Sequence, residues 1–214
     1  MSLERNRIFE LVRGEILSCS LMPGVELRES ELAKRFGVSK SPVRDAMQKL
    51  EFEGLVEISP RRGHRVRPIS VKDAEDILEL RAILEVAVAR KIVQTASDEE
   101  LSGLDGFRQA DMSSIQVFAR YNRKFHHALS VLSKNIRLAE EMRRVMEFYD
   151  GLCGLSLSPL RKSGGFEDPL ADHNAIIDAL QARNAGQAAR IVRKHVMKSR
   201  GQIMRGLENR PIVG

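Results

Sequence analysis

Residues 21 to 66 read LMPGVELRESELAKRFGVSKSPVRDAMQKLEFEGLVEISPRRGHRV, and the order of parts in this stretch decides the fold. Ser30 is a good N-cap for a helix over Glu31 to Phe36, with Leu32, Ala33 and Phe36 as its apolar residues. Gly37 should stop that helix with a positive φ. Ser39 or Ser41 caps a second helix, and Pro42 is tolerated in its first turn, where amides lack helical partners anyway. Val43, Ala46, Met47 and Leu50 make its buried stripe. Gly54 closes it, and Leu55 to Ile58 reads as a strand. Arg62-Gly63-His64 reads as a turn into a second strand around Arg65 to Arg67. Two helices followed by a hairpin predict a winged helix-turn-helix. That shape lays one helix in the DNA major groove with the hairpin beside it.

On the N-terminal side, Leu3 to Ser18 carries Ile8, Leu11, Val12, Ile16 and Leu17 at helical spacing. On the C-terminal side everything after Pro68 to Ser70 reads as helix. The expected organisation is a DNA-binding domain over 1–68, a joint at 69–70, and a helical domain over 71–210. Six helices are predicted there: about 71–94, a shorter one capped by Ser97, then 115–132, 136–152, 169–183 and 185–207. Ser156 to Gly165 reads as a loop. The fold class is mainly α, a winged helix-turn-helix followed by an all-α six-helix bundle.

The 214 residues include 43% hydrophobic and 30% charged side chains, ordinary for a globular protein. A net charge of +6 favours a polyanionic partner. Arg61, Arg62, Arg65 and Arg67 crowd the hairpin with no acid among them. Cys19 and Cys153 have neither metal nor disulfide spacing and read as packed thiols in a reducing compartment. No apolar run reaches membrane-spanning length and no signal segment is legible, so a cytoplasmic protein with no membrane partner is expected.

The same residues resemble the GntR family of bacterial transcription regulators. P-G-x-x-L-x-E-x-x-L-A starts at Pro23, G-V-S-x-x-P-V-R-x-A at Gly37, L-x-x-E-G-L-V at Leu50 and R-x-G-x-x-V at Arg61. The remainder is similar to the FCD effector-binding domain of the FadR-like subfamily. It has L-R-x-x-L-E at Leu80 to Glu85, N-x-x-x-H at Asn122 to His126, D-H-x-x-I-x-x-A-L at Asp172 to Leu180, and a late His195. Six helices rather than seven place it with the shorter, VanR-like members. The resemblance implies a homodimer, and DNA contacts from Ser30, Lys40, Ser41 and Arg44 and from the wing at Arg62, Gly63 and His64.

The residues themselves support part of this. Arg44 stands near the start of the second helix, where a guanidinium can donate two parallel bonds to guanine O6 and N7. Lys40 and Ser41 can reach phosphates or base edges. Ser30 can cap its helix or receive a phosphate, and both readings stay open.

Five histidines occur, and the helical stripes sort them. His126 lies four residues after Asn122 on one side of the 115–132 helix, bordering the face of Phe118, Phe125 and Leu129. His127 is turned about 100° away, toward solvent. His173 shares a stripe with Ile176, Ile177 and Leu180, and His195 with Ala188 and Val192. Three imidazoles from three helices therefore point inward, and burying them without a shared partner would be costly. A divalent ion held by His126, His173, His195 and the Asn122 side-chain oxygen resolves this. Nitrogen-rich coordination suits zinc or nickel, with manganese a further option. The resemblance agrees, although its usual aspartate is Asn122 here. Arg81 borders the inward face. By resemblance it can line an effector pocket and pair with a carboxylate, or it can form an ion pair with Glu85. Tyr149 can reach the same cavity.

No H-E-x-x-H, phosphate-binding glycine loop or Ser/His/Asp pattern occurs, so an enzyme is not expected. The expected function is a DNA-binding regulator, a repressor, acting on a palindromic double-stranded operator and modulated by a small organic acid at the metal site. The alternative is a metal sensor in which the ion is the signal. A DNA-tethered metallohydrolase is the weakest reading.

Overall fold

The computed structural model describes residues 2–17, 20–59, 63–68, 70–162 and 167–208. Cys19, Arg61, Arg62 and Ile69 of the expected joint lie outside them, as does the side chain of Cys153. The chain divides into two compact units, and the division falls between Ser70 and Val71.

The first unit contains α1 (Ser2–Leu17), β1 (Glu26–Leu27), α2 (Glu29–Phe36), α3 (Lys40–Phe52), β2 (Val56–Ser59) and β3 (Gly63–Val66). The strands form one antiparallel sheet in the order β1-β3-β2, with Leu27 and Ile58 both opposite His64. Ile8, Phe9, Val12 and Ile16 of α1 close over Leu32 and Ala33 of α2 and over Val43, Ala46, Met47 and Leu50 of α3. Leu11 is instead 44% exposed, with Phe9 taking its expected place in the core. Gly37 ends α2 with φ +67°, its amide reaching back to the carbonyls of Ala33 and Lys34. Left-handed backbone of this kind is cheap only without a Cβ.

Two expectations of local structure are corrected in this unit, and one element is added. Ser30 is not the N-cap of α2; the helix starts at Glu29 with Arg28 in the cap position and no side-chain cap bond. Gly63 and His64 belong to β3 rather than to the turn before it. β1 was absent from the sequence reading, because two residues carry no period to detect.

The second unit contains α4 (Val71–Thr95), α5 (Asp98–Ser102), a 3-10 turn (Gly103–Phe107), α6 (Ile115–Leu132), α7 (Ile136–Lys162), α8 (Glu167–Gln181) and α9 (Ala185–Glu208). α4 packs against α6, α7, α8 and α9, and Leu78, Val88 and Ile92 on it are among the least exposed residues. α5 opens with a capping box. The Ser97 hydroxyl accepts from the Glu100 amide at 3.2 Å, and the Glu100 carboxylate accepts from the Ser97 amide at 2.7 Å. α7 runs through 162 where a loop was expected from 156. α8 ends at Gln181, two residues short of expectation. Arg183 takes a left-handed φ of 50°, and its guanidinium donates to the carbonyls of Val93 and Ala96 at the end of α4. Among the described residues no helix is long and apolar enough to cross a membrane.

Candidate functional site

In the first unit, α3 begins at Lys40 directly after the tight turn made by Gly37 and Ser39. Its buried stripe turns Lys40, Ser41 and Arg44 outward, and all three are exposed. The Arg44 guanidinium donates from Nε and Nη2 to the Glu29 carboxylate of α2, with a closest N–O distance of 3.2 Å. Hydrogen bonding to Glu29 and the charge of that carboxylate raise the arginine's pKa further above its ordinary value. The pair limits the directions in which Arg44 can point. Ser30 is also exposed, in the first turn of α2. His64 sits on the same face of β3 as Val66, two residues away, and both are buried. Its Nδ1 has no hydrogen-bond partner. The histidine expected in the turn is therefore a buried residue of the central strand, because strand pairing fixes which way it faces. Gly63 takes φ +93°, and a Cβ there would lie 3.2 Å from the Leu27 carbonyl oxygen.

In the second unit, His126 of α6, His173 of α8 and His195 of α9 converge. One ligand nitrogen from each lies within 4.8 Å of the others, and all three residues are buried. Their tautomers follow from their neighbours. The Tyr121 hydroxyl donates its only proton to the Phe107 carbonyl at 2.7 Å, so its oxygen must accept from Nδ1–H of His173 at 3.2 Å. Nδ1 of His195 faces the Asp172 carboxylate at 3.4 Å. Nδ1 of His126 faces Glu85 at 3.2 Å. Each imidazole thus turns Nδ1 toward an outer oxygen and keeps its lone pair on Nε2, the arrangement by which proteins orient metal-binding histidines. Nε2 of His173 is buried and without a partner.

Burial disfavours the charged form of these rings. It lowers the His126 pKa to about 4, although Glu85 opposes the shift, and it holds His173 well below the ordinary histidine value. Both stay neutral near pH 7, as ligands must. Burial also pushes the Tyr121 hydroxyl upward, keeping it protonated as the donor described above.

Arg81 of α4 is fully enclosed beside the cluster. Its Nε donates to Glu85 at 2.6 Å, its Nη2 donates to Nε2 of His126 at 3.0 Å, and its guanidinium carbon lies 3.9 Å from the ring centre of Tyr149. Burial opposes both charges of this pair. Even so, the Glu85 charge keeps Arg81 protonated, and the Arg81 charge, with His126, holds Glu85 far below the usual carboxylate range. Of the two readings open for Arg81, the ion pair with Glu85 is present. Nη1 of Arg81 and Oε2 of Glu85 have no hydrogen-bond partner. Tyr149 is itself buried, with its hydroxyl 2.7 Å from that of Ser199.

Asn122 lies one turn before His126 and is also buried, its amide nitrogen lacking a partner. It shares a small cavity of about 20 Å³ with His195, Tyr149, Asp172 and Ser199, room for about one water molecule or ion. The donor set suits a borderline divalent ion: three imidazoles with an amide alongside. Nε2 of His173, the amide nitrogen of Asn122, Nη1 of Arg81 and Oε2 of Glu85 are buried without partners in this part of the bundle. Glu85, Tyr121 and Asp172 were not singled out from sequence as orienting groups. Only the crossing of helices brings them to the rings, and their spacing along the chain carries no such signal.

Comparison with known proteins is consistent across both units. The sequence profile of bacterial regulatory proteins of the gntR family matches residues 4–66, and that of the FCD domain matches residues 76–198. The chain is 27% identical over 195 residues to the HTH-type transcriptional regulator YdhC of Bacillus subtilis, covering 88% of this chain and 86% of that one. It is 26% identical over 197 residues to the HTH-type transcriptional repressor RspR of Escherichia coli, covering 90% and 85%. The solved structure of E. coli McbR/YncC superposes with a TM-score of 0.76 at 16% identity, covering 96% of this chain and 99% of that one, a likeness of fold.

Proposed function

The chain belongs to the GntR family of bacterial transcriptional regulators, with an FCD domain as its second unit, and from that premise we propose that it is a repressor whose hold on its operator is set by a metal-anchored organic acid. Family and relatives are regulators and not enzymes. The proposal begins at α3. Arg44 reads a base pair, Lys40 and Ser41 take phosphates or base edges, and Ser30 and the wing residues Arg62, Gly63 and His64 complete the contact. One short helix reads few base pairs, so two copies act on a palindrome. A cytoplasmic location goes with this function.

The single observation behind the effector reading is that Nδ1 of each imidazole faces an oxygen partner while one ligand nitrogen from each ring lies within 4.8 Å of the others. His126, His173 and His195 would hold a zinc or nickel ion, with Asn122 beside it and manganese a weaker candidate. When bound, the ion supplies an electrophilic anchor for a carboxylate. Arg81 contributes a second anchor through its unpaired Nη1, stacked on Tyr149. Glu85 neutralises the guanidinium while the pocket is closed to a ligand. A repressor is the sense favoured by the name of the relative RspR.

The test is operator affinity measured with and without one equivalent of zinc, each with and without small carboxylic acids. The expected result is that an acid weakens operator binding only in the zinc-loaded protein, and that operator weakens acid binding by the same factor. Zinc alone switching operator binding would favour the metal-sensing alternative. No metal uptake at micromolar zinc would end the metal reading and leave the DNA reading standing.

A further inference from the structure

His126 has no nitrogen to spare. The Glu85 carboxylate, held ionised by Arg81, can only accept, so Nδ1 of His126 at 3.2 Å carries the ring's proton. The one lone pair of the neutral ring is then on Nε2, and Nη2 of Arg81 donates to it from 3.0 Å. Nε2 of His173, by contrast, is buried without a partner. One ligand of the cluster is capped and another is bare.

A guanidinium on that lone pair opposes an incoming cation twice. It occupies the electron pair a metal would use, and it sets a fixed positive charge beside the ion's own. Arg81 stays protonated in the fold and relieves neither effect by titrating. Only the bond to His126 has to be given up, however. The contacts to Glu85, through Nε at 2.6 Å, and to the Tyr149 ring, 3.9 Å from the guanidinium carbon, lie on other atoms of the group. Surrendering a buried bond from a charged donor lowers the affinity for an ion by about tenfold or more. The same factor falls on every metal. A metal that binds imidazole strongly, such as zinc or nickel, still fills the site, while one that binds it weakly, such as manganese, drops below occupancy.

We propose that Arg81 is an internal competitor for the metal, capping Nε2 of His126 in the ion-free protein and so setting the affinity an ion needs to enter the histidine cluster. This rests on the metal-binding reading above and adds what decides which ions are held.

Competitive titration of the full chain against a chromogenic chelator, with zinc and separately with manganese, tests this. Arg81→Met should bind zinc at least about tenfold more tightly than wild type, whereas damage to the fold lowers affinity. The single variant also uncovers the Glu85 charge, which would attract an ion by itself. Arg81→Met/Glu85→Gln removes both charges, so the pair's net charge stays at zero, and the new amide oxygen can still accept from Nδ1 of His126. The double variant should keep a gain of at least about tenfold, and manganese should gain by the same factor. A double variant within about threefold of wild type, or a gain for one metal without the other, overturns the proposal and leaves the metal site standing. No zinc uptake by any of the three proteins ends the metal reading, and this inference with it. Should the variants not fold, wild type decides. Nitrogen-15 spectra of arginine-labelled protein should show a slowly exchanging Nη proton of Arg81 that is lost on adding one equivalent of zinc. A proton that survives saturating zinc overturns the proposal.

Discussion

Arg81 donates from Nη2 into Nε2 of His126 at 3.0 Å, while Glu85, one turn along the same helix, accepts from both Arg81 and Nδ1 of His126. The three residues form a closed ring of polar contacts with almost no solvent. The lone pair that would bind a metal is therefore also the one that satisfies a buried guanidinium. An ion bound there would have to displace the arginine from that nitrogen.

The Arg81–Glu85 pair should be costly to break and cheaper to remove whole. Arg81→Met leaves the Glu85 carboxylate buried without its countercharge and should destabilise the protein by about 3–5 kcal/mol. The double variant Arg81→Met/Glu85→Leu should lose clearly less. Urea unfolding of the three proteins measures both, and equal losses would show that the two charges are not energetically coupled.

Tyr121 should matter to metal affinity without touching the ion. Its hydroxyl fixes the tautomer of His173, so Tyr121→Phe should weaken zinc binding about 10–100-fold while leaving the helical spectrum intact. His173→Ala should abolish high-affinity binding. Competitive titration against a chromogenic chelator reads both, and wild-type affinity in Tyr121→Phe would remove the orienting role.

Arg44→Ala should cost roughly 1–3 kcal/mol of operator binding at fixed salt and relax preference at one base pair. Glu29→Gln should act the other way, freeing Arg44 from its carboxylate and tightening nonspecific binding. Electrophoretic titrations on cognate and scrambled duplexes distinguish the two. An Arg44→Ala protein within about twofold of wild type would mean that another side chain reads the base.

Acid should unfold the metal-free protein early. The His126 pKa, lowered to about 4 by burial in the fold, returns to about 6.5 in the unfolded chain. The unfolded chain therefore takes up its proton first as the pH falls. The stability is present in full above about pH 6.5 and is lost progressively toward pH 4, by about 1–2 kcal/mol between pH 7 and pH 5 for this one group. Thermal melts across that range should show the decline, with His126→Asn flattening it. A melting temperature independent of pH there would mean that the ring is solvated.

The winged helix was legible because its signals are local. Gly37 and Gly54 take the positive φ that stops a helix, and Val43, Ala46, Met47 and Leu50 carry the period that buries one side of α3. His64 was placed in a turn rather than a strand for the complementary reason. Nothing within three residues of it says whether it lies in a turn or a strand; pairing with Leu27 and Ile58 does. Ser30 has the chemistry of a cap, but Glu29 already continues the helix, and propensity at a helix end is decided within a residue or two.

What the sequence by itself determined was each helix's inward face, and hence that His126, His173 and His195 leave three different helices toward the interior. Periodicity suffices for that, because one turn repeats every 3.6 residues whatever the helix packs against. Only the tertiary structure decided what those rings meet. Glu85, Tyr121 and Asp172 reach them from positions 23 to 52 residues away on other helices, and Arg81 reaches His126 with its charge balanced by Glu85. Which nitrogen is free, which charge is compensated and which atom lacks a partner depend on helix crossings, and no local pattern along the chain encodes a crossing.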